Sequence, residues 1–237
     1  MTVQSGTGKS GGRTRRRARA LYRRILSRAA ARPLAALIVA FVLGVIFWGG
    51  FNWSLELANT QSFCVSCHVM RANIFGHFKK TGHFANRTGV RATCPDCHVP
   101  RKWHRKVIRK ITATNELFHW FAGSIDTPEK FDARRGKLAR HVWKLMEKSD
   151  SRECRNCHSM AAMAAKAQQP MARQVHKLAR RWKLTCINCH QGIAHILPGD
   201  FDKGAVLDSF HDRIKAEGIK CWTCHEDMAR APEDDRP

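Results

Sequence analysis

The hydrophobic pattern of this chain is dominated by one apolar run near its start. Residues 34–51 read LAALIVAFVLGVIFWGGF, an 18-residue stretch without a charge, which is about the minimum length of a helix that spans a bilayer. Trp48 and Trp53 lie towards its far end, where aromatic side chains favour the membrane interface. The pattern therefore predicts a transmembrane helix over residues 33–53.

The residues before this run are strongly basic, with ten Lys or Arg and no acidic residue in positions 1–32. Basic flanks stay in the cytoplasm, so everything after Phe51 is expected on the far side of the membrane. A cleaved signal peptide is the alternative. The basic region and the apolar run are both long for a signal peptide, and no clear Ala-x-Ala cleavage site follows, which favours an uncleaved anchor.

Beyond the anchor, the pattern predicts helices and has no alternating stretch of useful length for a strand. Residues 101–122 form an amphipathic helix with a Lys- and Arg-rich polar face. Its apolar face either rests on anionic lipid headgroups or packs against a cofactor, and the pattern leaves both open. The apolar positions are Trp103, Val107, Ile108, Ile111, Phe118 and Phe121.

A second helix is predicted from the segment DTPEKF to about Lys148. Thr127 can cap it, Pro128 suits its first turn and Glu129 complements its dipole. Pro170 interrupts the Ala-rich stretch 160–182, which predicts two shorter helices there. The expected fold class is mainly α with much irregular structure, combining one N-terminal transmembrane helix with a compact domain.

The cysteines decide the chemistry, because all ten lie in five Cys-x-x-Cys-His motifs. This is the attachment motif of c-type haem, in which both thiols bond the vinyl groups and the histidine ligates iron. A disulfide framework would not need the histidines, and zinc would pair the motifs and leave one over. The motifs are Cys64, Cys67 and His68; Cys94, Cys97 and His98; Cys154, Cys157 and His158; Cys186, Cys189 and His190; and Cys221, Cys224 and His225.

Five covalent haem c groups would form much of the core of a domain this small. Each iron has a second axial position, so a multihaem protein needs further ligands. For any single further histidine, an ordinary surface position is the alternative. The eight histidines outside the motifs are His77, His83, His104, His119, His141, His176, His195 and His211.

The formal net charge is +23, but it does not indicate nucleic-acid binding. Ten of the basic residues lie in the tail before the anchor, and the haem propionates would remove roughly ten further positive charges. Because haem c is attached outside the bacterial cytoplasm, the cofactor and the predicted topology both favour the periplasmic face of an inner membrane. No nucleic-acid partner is expected.

A local repeat precedes the last two motifs. VHKLARRWKLTCINCH and FHDRIKAEGIKCWTCH each place a histidine ten residues before the first cysteine, His176 before Cys186 and His211 before Cys221. The repeat predicts a unit of helix, turn and haem site that is used twice. It supports the fifth motif as a genuine haem site.

Several longer segments carry a family resemblance that runs from about Gly49 to Pro198. They read GGFNWSLELANTQSFCVSCHVM, HFANRTGVRATCPDCHVP, IDTPEKFDARR, ECRNCH and CINCHQGIAHILP. Together they resemble the NapC/NirT family of membrane-anchored tetrahaem cytochromes c. The resemblance implies a protein that takes electrons from membrane quinol, either menaquinol or ubiquinol, and passes them to a periplasmic redox protein or reductase.

The resemblance also implies roles for individual residues. In relatives of the NrfH type, Met70 would compete with His68 for iron one, and Lys110 would ligate haem two. Glu116 would lie beside haem one at the quinol site, although those relatives have Asp. An ordinary solvated Lys and Glu is the alternative for the last two residues.

For the remaining irons, the family pattern assigns His83 to haem four and His176 to haem three, whereas His195 fits a family segment without an assigned iron. TorC-type relatives carry a fifth haem on a much longer C-terminal domain. In this chain the short extension suggests that the fifth haem is the site where electrons leave for a soluble partner. His211 and His195 are the candidate ligands of iron five.

The sequence thus predicts four regions: a basic cytoplasmic tail (1–32), an anchor (33–53), a tetrahaem domain (54–198) and an extension with the fifth motif (199–237). The main hypothesis is a quinol dehydrogenase that distributes electrons, with homo-oligomerisation left open. One alternative is the reverse flow, from a periplasmic donor to quinone. Another is a reductase for a small substrate such as nitrite, which full ligation of the irons disfavours.

Overall fold

The computed structural model of the protein describes residues 11–226 and 228. Helices and irregular segments make up this part of the chain, and it contains no β-strand. The predicted fold class is confirmed. The chain divides after Glu56 into two compact units.

The first unit contains two long helices, α1 (Gly11–Ala31) and α2 (Pro33–Leu57). Pro33 begins the second helix because proline has no backbone N–H to donate and fits the first helical turn. Helix α2 includes the whole predicted anchor and continues to Leu57. It is long and apolar enough to cross a membrane, and its most apolar stretch is not buried by protein. The helical state of α1 is not among the sequence predictions.

The second unit consists mainly of short helices joined by irregular segments. In chain order these are α3 (Gln61–Ser66), α4 (His68–Met70), a π-helical turn (Arg71–Phe75), α5 (Gly76–Phe78), α6 (Cys94–His98), α7 (Trp103–Phe121), α8 (Pro128–Lys148), α9 (Arg152–Arg155), a 3₁₀ turn (Ala165–Ala167), α10 (Pro170–Arg181), α11 (Cys186–Cys189), α12 (Lys203–Ala216) and a second 3₁₀ turn (Cys221–Thr223).

The two longest helices of this unit, α7 and α8, match the predicted segments. Helix α8 begins as its sequence indicates, with the Thr127 side chain accepting a hydrogen bond from the backbone N–H of Lys130. The prediction for residues 160–182 is only half right, because Pro170 begins α10 but the first half forms a single 3₁₀ turn. A segment that short cannot offset the cost of nucleating a helix without packing.

Candidate haem-binding sites

Each Cys-x-x-Cys-His motif is shaped by a short helical turn. In the last three motifs the backbone N–H of the histidine donates to the carbonyl of the first cysteine, at 2.8–3.0 Å. Two motifs have a side-chain cap as well, since Thr93 pairs with Asp96 and Thr185 with Asn188 at the third helical position. These bonds hold both thiols and the histidine of one motif next to each other.

The first four motifs lie next to one another in chain order. The Cys94 thiol hydrogen-bonds Cys64 and, with nearby cations, lowers the pKa of Cys64 to about 7. Burial, and then the charge of Cys154, raises the pKa of Cys97 to about 11. Burial, followed by Cys186, raises the pKa of Cys154. The thiols of motifs one to four therefore form a continuous series.

Three of the motif histidines face a second imidazole. The ring centroids are 6.0 Å apart for His83 and His158, 6.2 Å for His98 and His195, and 6.1 Å for His176 and His190. A metal–imidazole bond of about 2 Å on each side would put opposed ring centroids roughly 6 Å apart. The centroid separation in each pair therefore matches that of two axial ligands of one iron.

The surroundings of two partner histidines support this fit. Gln168 Oε1 lies 2.8 Å from Nδ1 of His176, which leaves Nε2 for a metal. Nδ1 of His195 is buried and has no hydrogen-bond partner within the described part of the chain. A buried ring nitrogen without a partner is costly, and a metal would satisfy it. Burial, and then His98, lowers the pKa of His195 to about 4, which favours the neutral ring that a metal needs.

The side-chain core of the second unit is small, which also fits haem as part of the interior. Among the described residues of this unit, few apolar side chains are buried. They are Val69, Phe78, Phe131, Leu178, Trp182, Ile187 and Ile214, together with Pro95 and Pro198.

The comparison with known protein families decides the identity. The model of the NapC/NirT cytochrome c family, N-terminal region, matches residues 27–200. The chain belongs to the NapC/NirT cytochrome c family. It is therefore a c-type cytochrome with covalently bound haem, and it carries a helix suited to anchoring it in a membrane.

Individual relatives agree with this family. The chain is 55% identical over 162 residues to the denitrification system component NirT of Stutzerimonas stutzeri, covering 68% of this chain and 81% of NirT. It is 49% identical, with the same coverage, to the cytochrome c-type protein NapC of Escherichia coli K12. A protein of Allochromatium vinosum described as tetraheme is 46% identical over 169 residues, 71% of this chain and 91% of that protein. No solved structure matches.

The NapC/NirT match ends at residue 200 and so includes four of the five motifs. The fifth lies in the extension. His211 and His225 are both half-buried there. Within the described residues, the rings of His68 and His225 lie opposite no second imidazole at the distance seen for the other three motifs.

Two assignments taken from the family resemblance stay predictions, and the ring contacts favour the opposite pairing. His83 lies opposite His158 of motif three, and His176 lies opposite His190 of motif four. Helix α10 leads directly into motif four, so its histidine lies beside that motif. The ring of His195 lies opposite His98 of motif two. The resemblance had given Lys110 as the second ligand of that haem.

The residues expected near haem one and the quinol site lie on α4 and α7. His68 is exposed and Met70 is half-buried. Two residues apart on a helix they point in nearly opposite directions, so only one can ligate the haem bound by Cys64 and Cys67. Lys110 Nζ donates to the carbonyl of Ala58 at 2.5 Å, and Glu116 accepts from Arg109 at 2.8 Å.

Sequence reasoning missed Arg135 of α8, whose side chain is only 17% exposed. It donates to the carbonyl of Ile196 at 2.6 Å and lies 3.2 Å from Nδ1 of His77. Through Ile196 it ties α8 to the loop that carries His195. The signal that points to it in the sequence is its place in the family segment IDTPEKFDARR.

Proposed function

We propose that this protein oxidises membrane quinol and delivers the electrons to a periplasmic redox protein or reductase. The observation that carries the proposal is the continuous series of motifs one to four, with opposed histidines at three of them, in a chain that also has a membrane-spanning helix. Bound haem c supplies reversible one-electron transfer at each site. A series of adjacent sites is what transport of electrons away from a membrane requires.

We infer five haem c groups, each bound by the two cysteines of its motif. Haem two would be held by His98 and His195, haem three by His158 and His83, and haem four by His190 and His176. Haem one would be held by His68 or Met70, and haem five by His225. The ring distances of 6.0–6.2 Å support the three bis-histidine assignments.

The quinol site is proposed beside haem one, on α7. Glu116 is more than half exposed and paired with Arg109, so it can accept a proton from quinol and release it to solvent. Lys110 is hydrogen-bonded to Ala58, which directly follows α2 in the chain. Its positive charge would stabilise the anion that forms as quinol loses a proton.

The proposed topology puts α2 across the inner membrane, with the basic tail in the cytoplasm and the second unit in the periplasm. The four regions predicted from the sequence, bounded at residues 32, 53 and 198, keep their roles in this proposal. The continuation of α2 to Leu57 supports an anchor that leads straight into the haem-binding unit.

The test is anaerobic reduction of the detergent-solubilised holoprotein by menaquinol and ubiquinol analogues, followed by the haem absorption bands. Glu116→Gln is compared with Glu129→Gln on α8, and Lys110→Ala with Arg105→Ala, an exposed cation on α7. Losing a positioned proton acceptor typically slows a reaction about a hundredfold. We expect a loss of that order for the first variant of each pair and little change for its control.

A wild-type protein that dithionite reduces fully but no quinol reduces would overturn the proposal. It would favour electron entry from a periplasmic donor, with quinone as the acceptor.

A further inference from the structure

The backbones leading into motifs four and five repeat each other with an offset of 35 residues, the separation of Cys186 and Cys221. At the end of α10, Leu184 N–H donates to Ala179 at 2.9 Å. At the end of α12, Ile219 N–H donates to Ile214 at 3.1 Å. These are equivalent bonds of the same helix-terminating turn.

The turns at the ends of α10 and α12 have nearly the same dihedral angles. The C-cap residues Trp182 and Glu217 have φ/ψ of −85°/1° and −89°/4°. The next residues, Lys183 and Gly218, are left-handed, with φ of 55° and 64°. Each left-handed residue lies three positions before the first cysteine of its motif, so the route from helix to motif is the same.

The backbone repeat continues through the motif histidines, but the ring of His225, unlike that of His190, faces no second imidazole among the described residues. His190 N–H donates to Cys186 at 2.9 Å, and His225 N–H donates to Cys221 at 3.0 Å. Seven residues before each left-handed residue is a histidine, His176 in one unit and His211 in the other. His211 therefore has the same position relative to its helix end as His176, whose ring faces the histidine of motif four.

Motif three provides an internal comparison. Helix α8 ends in a related turn, with Ser151 N–H donating to Met146 at 2.7 Å and two left-handed residues, Asp150 at φ 54° and Ser151 at φ 47°. Seven residues before Asp150 is Trp143, which cannot ligate iron. There the motif histidine is faced by His83, from a distant loop. A helix-terminating turn of this kind therefore also occurs without a histidine at this position, and there its first left-handed residue lies four rather than three residues before the first cysteine.

The packing of α12 against the end of α10 keeps the extension beside motif four. Phe210 packs edge to face on Trp182 at 5.0 Å, and Trp182 Nε1 donates to Glu217 at 2.6 Å. Cys224 packs against the cluster of Leu178, Trp182 and Ile214. The cluster therefore joins one cysteine of motif five to both helices.

We propose that the extension is a second copy of the motif-four unit and that His211 is the second axial ligand of the haem attached to Cys221 and Cys224. Each thiol adds across a vinyl double bond, with sulfur bonding one carbon and hydrogen the other, and His225 ligates the opposite side of the iron. His195, the other candidate, faces His98. The proposal rests on the inferred attachment of a fifth haem and is independent of the direction of electron flow.

The experiment compares the wild-type holoprotein with His211→Ala and His141→Ala, which removes an exposed histidine of α8. The pyridine haemochrome assay counts the haems. EPR reports the spin state and coordination of each iron, and carbon monoxide binding after reduction counts the irons with an open position. We expect five haems in all three proteins. We expect His211→Ala alone to convert one low-spin haem to high-spin and to bind one more carbon monoxide per chain.

A count of four haems in the wild type would overturn the proposal, as would a His211→Ala protein with unchanged EPR and carbon monoxide binding. If the His211→Ala protein does not accumulate, the midpoint potentials of His211→Met test the assignment instead. A thioether would keep the iron six-coordinate but raise one midpoint potential, whereas unchanged potentials would overturn the assignment. Failure of quinol reduction would leave these outcomes intact, so the two proposals fail separately.

Discussion

At the residue scale, Ser151 connects two haem motifs. It is fully buried, and its Oγ accepts the backbone N–H of Ile187, at 3.1 Å. Ile187 lies between the two cysteines of motif four, whereas Ser151 lies in the turn before motif three. A single hydroxyl thus satisfies a buried backbone donor of the neighbouring site.

We expect Ser151→Ala to lower the free energy of unfolding by about 1–3 kcal/mol, because it leaves that buried N–H without a partner. The measurement is thermal unfolding of the holoprotein, followed by circular dichroism and by the haem bands. Ser209→Ala is the control, since this serine is exposed and its hydroxyl donates to Val206 of its own helix. Equal stability of the two variants would contradict the role of Ser151.

The charge of Arg135 should affect the potential of a haem, because its cation lies beside the loop that carries His195. A nearby positive charge favours the reduced haem, so Arg135→Ala should lower the midpoint potential of the haem ligated by His98 and His195. An interaction of roughly 1 kcal/mol corresponds to about 40 mV for one electron. Spectroscopic redox titration measures this shift.

Two variants separate the charge of Arg135 from its packing. Arg135→Lys keeps the cation and should retain most of the potential. Arg140→Ala, on the same helix, removes an exposed cation paired with Asp200 and should change the potential little. If Arg140→Ala lowers it as much as Arg135→Ala, the effect comes from net charge alone.

At the element scale, predictability depended on whether a feature was local. Helix α7 could be predicted from its periodicity, and helix α8 from its cap and first-turn proline, because these features lie within the elements or directly beside them. The motif histidines and their cysteines were equally local. The histidines opposite them are only partly local. His176 lies on the helix before motif four, but His83 and His158 are brought together by packing that no sequence spacing reports.

At the same scale, the contacts of Trp182 attach helix α12 of the extension to α10. Trp182 is buried between α10 and α12, where it contacts Phe210, Glu217 and the Arg213 guanidinium, which lies 4.6 Å from its ring. Replacing a buried tryptophan with alanine typically costs about 3–5 kcal/mol. Trp182→Ala should therefore loosen α12 while the rest of the second unit stays folded.

Hydrogen exchange with mass spectrometry would detect this loosening as faster exchange in residues 203–219. Lys215→Ala is a suitable control, because Lys215 is exposed and pairs with Asp212 of its own helix. Faster exchange spread evenly over the whole second unit would show that Trp182 stabilises the domain in general. Unchanged exchange in α12 would show that other contacts hold the extension.

At the scale of the whole molecule, the chain combines a membrane helix, four motifs in a continuous series and a fifth motif attached to the fourth by the α10–α12 packing. The match to the NapC/NirT family covers residues 27–200 and so leaves out the last motif. If electrons enter near haem one, the extension lengthens the path at its far end. A fifth haem there would be the place where a soluble partner collects electrons.

This role predicts a specific defect in the double variant Cys221→Ser and Cys224→Ser, which keeps the full chain but lacks both thioether bonds of motif five. Quinol should reduce the remaining haems at the wild-type rate, because motifs one to four are unchanged. Transfer to a soluble periplasmic acceptor should slow, since the last site is missing. Anaerobic stopped-flow mixing separates the two steps, with His141→Ala as the control. Wild-type rates for both steps would show that electrons leave from haem four, and slow quinol reduction would show that the fifth site supports the first four.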